Sequence, residues 1–154
     1  MLAKVCSAAV NGIEAFPVEV EVDSGYGDTF VVIVGLPDAA VKESRDRVST
    51  ALTNSGFKFP MGKTTINLAP ADVKKEGPSF DLPIAVGMLA ASEQIETDQL
   101  DNFGMVGELA LTGAVPPVDN LPPHDPPREA CKLTAFQAIA QLSKESEDSG
   151  RAAL

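Results

Sequence analysis

The stretch from Thr64 to Ala85 most narrows what this chain can fold into. Thr64-Thr65-Ile66-Asn67-Leu68 reads as a buried strand, Lys74-Lys75-Glu76 lies in a charged loop, and Gly77-Pro78-Ser79 opens a helix that continues through Phe80-Asp81-Leu82-Pro83-Ile84-Ala85. A serine at such a loop-to-helix junction places its hydroxyl beside free backbone N–H groups. It can serve as a nucleophile or as a helix cap, and much of the functional question turns on which.

The elements around this stretch alternate between strand and helix. Residues 3–10 form a short apolar run suited to a first strand. Phe16 to Asp23 alternates strictly, with Val18, Val20 and Val22 on one side and Glu19, Glu21 and Asp23 on the other, as in a half-buried strand. Thr29 to Val34 is nearly all apolar and β-branched, which predicts a strand buried on both faces. After Gly35-Leu36-Pro37, Asp38 is a fair N-cap for a helix with an apolar stripe of Ala40, Val41, Val48, Ala51 and Leu52. Lys42, Glu43, Arg45, Asp46 and Arg47 fall mostly on its solvated side, and Gly56 marks its stop. A second helix is expected over about Phe80 to Ser92, with the stripe Leu82, Ala85, Val86 and Leu89 and with Pro83 tolerated in its first turn. Phe103 to Leu111 predicts a further strand and Val115 to Val118 a short edge strand. Asp119 to Pro127 is Pro-rich and cannot be regular structure, Arg128 to Lys144 is helix-like, and Glu145 to Leu154 is a polar end.

Composition sets bounds. With 154 residues, the chain suits one domain with a tail, and 44% hydrophobic residues supply a core that must be aliphatic, because aromatics are only 5% and Trp is absent. No apolar run approaches the roughly 18 residues of a membrane span. Cys6 and Cys131 make no disulfide framework, which predicts free thiols in a reducing, cytoplasmic setting. The net charge of −10 argues against nucleic-acid binding by this chain alone, since phosphates require clustered cations.

Candidate chemistry is sparse. Gly56 to Thr64 ends in Gly62-Lys63-Thr64, yet five residues rather than four separate the glycines, and the segment follows a helix and opens a strand. It is a connection, and no ATP site or other cofactor site is expected. Gly35 to Asp38 is a strand-to-helix turn whose Asp38 places negative charge where an anion would bind, so a plain cap is expected there. The single histidine, His124, sits in the Pro-rich segment, and no Cys or His pair has metal-ligand spacing. Ser79 is the only catalytic candidate. Lys74 and Lys75 are expected on an exposed loop, where lysines stay protonated and make poor bases, so the residues favour Ser79 as a helix cap with Asp81 complementing the helix dipole.

The segments Phe30 to Asp38, Ala40 to Val48, Asn67 to Asp72, Lys74 to Gly77, Phe80 to Ala85 and Val106 to Gly113 together resemble the N-terminal domain of the magnesium-chelatase-like AAA+ proteins of the competence-protein ComM type. The resemblance covers roughly residues 1–118. It implies an α/β two-layer fold of the Lon-protease-like, ribosomal protein S5 domain 2-like kind, with helices on one face of a mixed sheet and a left-handed strand–helix–strand crossover against the usual preference. It also implies an ATPase module as partner, self-association into hexameric rings, and a role in DNA branch migration reached only through the full-length assembly. In Lon proteases the catalytic serine follows Gly-Pro, as Ser79 does here. Their catalytic lysine would fall in Val118 to Pro122, where this sequence has a proline instead. The resemblance thus implies a protease-like shell without protease chemistry. Past about residue 118 the sequence leaves the family pattern, and residues 119–154 are expected to be a divergent tail of a truncated, frame-shifted or excised product.

The expected function is therefore a non-catalytic accessory domain, with no cofactor, no metal and no membrane contact. One alternative is a Ser-Lys peptidase using Ser79 with Lys63, Lys74 or Lys75. The other is a nucleic-acid-binding module using Arg45, Arg47, Lys63, Lys74 and Lys75 as a local patch.

Overall fold

Two long strands bury alternate residues, Ala3, Val5, Ser7 and Ala9 in the first and Val18, Val20 and Val22 in the second, and those dry faces set the architecture. The computed structural model describes residues 1–11, 14–98 and 100–114. β1 (Leu2–Asn11) and β2 (Glu14–Ser24) form an antiparallel hairpin, β3 is Phe30–Val34, α1 is Ala39–Asn54, β4 is Lys63–Ala69 and α2 is Asp81–Ala91. The sheet order is β1-β2-β4-β3, with β4 antiparallel to β2 and parallel to β3. Both helices pack on one face of this mixed sheet, giving the expected two-layer α/β arrangement.

The registers line up the core. Val20 stands opposite Val5 on one side and Leu68 on the other, and Val22 stands opposite Ile66. Ala3, Val5, Val18, Val20, Val22, Ile66 and Leu68 are buried under the helices. On the opposite face Lys4 pairs with Glu19 at 2.9 Å and Glu21 at 3.4 Å, and the Asn67 amide donates to Glu21 at 2.7 Å. That amide holds the Glu21 carboxyl below its ordinary range.

Two expectations about the strands need correction. β3 is not buried on both faces. It lies at the sheet edge, where Val31 and Ile33 turn toward the core while Phe30 and Val34 remain 46% and 42% exposed. A continuous apolar run does not reveal whether a second strand lies beyond it. The Phe103–Leu111 segment is no strand: among the described residues it joins the sheet only through a bridge from Gly104 to Cys6. Its backbone bonds the start of α2 instead, with Gly107 N donating to Ser79 O and Gly107 O accepting from Leu82 N. Val115–Val118, the Pro-rich segment and the expected C-terminal helix lie outside the described residues, as does the proline placed where a Lon lysine would stand.

α1 begins as expected. Asp38 caps it by accepting from Val41 N at 2.8 Å, and Val41, Val48, Ala51 and Leu52 form its buried stripe. Ser44 joins that stripe, which the apolar pattern alone did not disclose. α2 is not amphipathic: every residue from Pro83 to Ala91 is buried, because the helix packs on β1 and β2 along one side and on α1 along another. Gly87 permits that closeness, since a Cβ there would come within 2.6 Å of Val22 Cγ2. Gly87→Ala should therefore lose about 1–2 kcal/mol despite its better helix propensity. Placing it in a Val22→Ala background should shrink the difference between glycine and alanine at 87 in urea unfolding. An undiminished penalty in that background would show that the valine methyl is not the obstacle.

Candidate functional site

The loop from Pro70 to Phe80 is fixed by backbone pairing with the turn that precedes α1. Asp38 N donates to Lys75 O at 3.0 Å and Lys75 N donates to Leu36 O at 3.1 Å, a one-residue parallel bridge. Asp38 also accepts from Gly77 N at 3.1 Å, so one carboxylate both caps α1 and clamps the loop. Extended backbone sends neighbouring side chains opposite ways. Lys74 and Glu76 point outward and pair at 2.9 Å, whereas Lys75 points inward.

Lys75 thus corrects the expectation of two exposed lysines. Its side chain is fully buried, and Nζ donates to the Pro70 carbonyl. Burial pushes its pKa below the ordinary 10.5, with Asp72 opposing in part. The buried ammonium therefore costs native stability at neutral pH. Between the lowered native pKa and the unfolded value, the unfolded chain holds the extra proton, so stability climbs with pH across that window. Urea midpoints at about pH 8 and about pH 10 should rise for the natural chain relative to Lys75→Met, which lacks this group. A Met variant with the same pH slope would contradict the assignment.

Ser79 does not do what the sequence led one to expect of it. It lies inside a 3-10 turn, Pro78–Phe80, and neither that turn nor α2 begins with a side-chain cap bond. The start of α2 is held by backbone: Gly107 N donates to Ser79 O at 2.8 Å and Leu82 N donates to Gly107 O at 3.0 Å. The three lysines weighed as bases are engaged elsewhere. Lys75 Nζ meets Pro70, Lys74 meets Glu76, and Lys63 Nζ stands 5.8 Å from the Phe30 ring centre. Among the described residues none is hydrogen-bonded to the Ser79 hydroxyl.

The polar centre of this region is Asp81, which sequence reasoning treated only as a helix-dipole partner. It is wholly buried. It accepts from the Ser44 hydroxyl, from Arg47 Nε at 2.7 Å and Nη2 at 3.0 Å, and from Leu109 N at 3.2 Å. Arg47 Nη2 also donates to Ala40 O at 3.0 Å, and Nη1 lies 3.6 Å from Glu43. Hydrogen bonding to Asp81 raises the Arg47 pKa further above its ordinary value. The available signal was Ser44 at helical spacing between Val41 and Val48, one turn ahead of Arg47.

The five cations grouped as an interaction patch therefore divide. Arg47 and Lys75 turn into the fold. Arg45 stays exposed beside Asp46 at 3.2 Å, and Lys63 and Lys74 lie on separate elements. Among the described residues no cluster of His, Cys, Asp and Glu could hold a metal ion, and no helix is long and apolar enough to cross a membrane.

Residues 18–125 match the family model described as subunit ChlI of magnesium chelatase. The uncharacterised protein YifB of Escherichia coli is 53% identical over 114 residues, covering 74% of this chain and 22% of that protein. The competence protein ComM of Haemophilus influenzae is 52% identical over 112 residues, covering 73% and 22%. A Lon protease from Protochlamydia amoebophila is 30% identical over 97 residues, covering 58% and 11%. The chain thus spans about a fifth of the length of the first of these relatives. The matched span contains α1, the Lys75 loop and the Asp81 centre together, and on that ground this chain belongs to the magnesium-chelatase-like AAA+ family, of the ComM type.

Proposed function

We propose that this domain is a non-catalytic accessory module of a ComM-type ATPase, working through contacts with other protein domains or other copies. The observation that carries this reading is the commitment of the polar groups around Ser79. Its carbonyl is tied to Gly107, Lys75 Nζ is tied to Pro70, and Asp81 is saturated by Ser44, Arg47 and Leu109. A nucleophilic serine requires a neutral base within hydrogen-bond reach of its hydroxyl. Two measurements on the purified chain test the reading. ATP turnover should stay at background, and a serine-directed fluorophosphonate should label it no faster than Ser79→Ala. Turnover above background, or labelling lost in Ser79→Ala, would overturn it.

One observation favours a second reading, a Ser-Lys peptidase of Lon type. Lys75 is buried with a lowered pKa, the property such a base needs, and it lies four residues before Ser79. Under that reading phosphonate labelling would disappear in both Ser79→Ala and Lys75→Met. Nucleic-acid binding has less support, because Arg47 and Lys75 are withdrawn from the proposed patch and the whole chain carries −10.

A further inference from the structure

Among the described residues β3 is hydrogen-bonded to β4 alone, so its outer side carries a row of N–H and C=O groups without a ladder partner. Natural sheet edges are usually blunted by lysine, proline or a bulge. Phe30-Val31-Val32-Ile33-Val34 has none of these, and its pairing with β4 runs without interruption. Beside this edge lies a groove of about 320 Å³ lined by Val31, Val32, Ile33, Lys42 and Arg45. Among the described residues lining it, three are apolar and the two charged ones are cationic, in a chain whose net charge is −10. Asp46 engages Arg45 through Nε alone, one of five guanidinium N–H groups.

We infer that the outer edge of β3 is a docking site for an extended acidic peptide segment of another protein, which adds to the sheet as a fifth strand with its carboxylates against Lys42 and Arg45. Backbone pairing supplies the attachment and alternate side chains supply the selection. The charge pattern disfavours a second copy: a two-fold edge-to-edge pair would bring Lys42 and Arg45 of one copy toward the same residues of the other. The inference deepens the accessory reading by naming a surface and a partner chemistry. It stands apart from the catalytic tests, because peptide docking and phosphonate labelling fail or succeed independently.

The test uses the full chain with 15N-labelled backbone and the peptide acetyl-Thr-Glu-Val-Glu-Val-Glu-Thr-amide, with lysine in place of glutamate as the control. Saturable shifts of the Phe30–Val34 amides and of the Lys42 and Arg45 region are expected with the acidic peptide. The lysine peptide should bind at least about tenfold more weakly. The double variant Lys42→Glu, Arg45→Glu changes only exposed positions of α1, and it should reverse that preference while keeping its circular dichroism spectrum. Absence of binding, equal binding of both peptides, or an unchanged preference in the double variant would overturn the inference. So would protection from exchange, without peptide, of the β3 amides that face away from β4, since a second copy or another segment of this chain would then hold the edge.

Discussion

Asp81→Ala should cost this domain about 3–5 kcal/mol, the largest loss expected from any single polar substitution in it. The carboxylate is fully buried and satisfies donors from two segments far apart in sequence: Ser44 and Arg47 of α1, and the amide of Leu109. Removing it strands a half-buried guanidinium and leaves the Ser44 hydroxyl and Leu109 amide without their acceptor. The guanidinium remains 21% exposed, so water relieves part of the penalty and places the loss toward the lower end. Replacing both members, as Asp81→Leu with Arg47→Met, removes the stranded charge and should be less damaging than Asp81→Ala alone. Urea unfolding of the three proteins measures this. A loss below about 1 kcal/mol for Asp81→Ala would mean the network is not coupled to folding.

Gly35→Ala should lose about 3 kcal/mol through a different mechanism. Gly35 has φ +98°, and a Cβ there would lie 2.2 Å from the carbonyl oxygen of Leu68. That oxygen belongs to β4 backbone and cannot move aside as a side chain would. Gly27→Ala is the internal control. Gly27 has φ +117° with nothing within 4 Å of the added Cβ, so only conformational strain of about 1 kcal/mol applies there. The difference between the two variants isolates the steric part. Equal losses would show that the approach of the β3–α1 turn to β4 is looser than 2.2 Å implies.

Patterning made the layers legible. The valine alternation in β2, the Asp38 cap and the α1 stripe all stand where the sequence put them, because each depends on neighbours close along the chain. Position within the sheet was not legible: Val-Val-Ile-Val reads alike at an edge or a centre, and only the ordering of strands decides. The candidate site was harder still. Lys74 and Lys75 are the same residue type side by side, yet a single backbone bridge to Pro37 sends one outward and the other inward. Asp81 looked like an ordinary first-turn acid because its partners lie in α1 and in the segment beyond Gly107, far away in sequence.

The strand order carries a kinetic consequence. β1 and β2 can zip as near neighbours along the chain, whereas β3 has no neighbour until β4 arrives, a whole helix later, and inserts between it and β2. Loop closure must precede that pairing, so the hairpin should be structured in the folding transition state and the β3–α1–β4 unit should lock last. Substitutions in Val5 or Val20 would then slow refolding, while those in Val31 or Ile33 would mainly hasten unfolding.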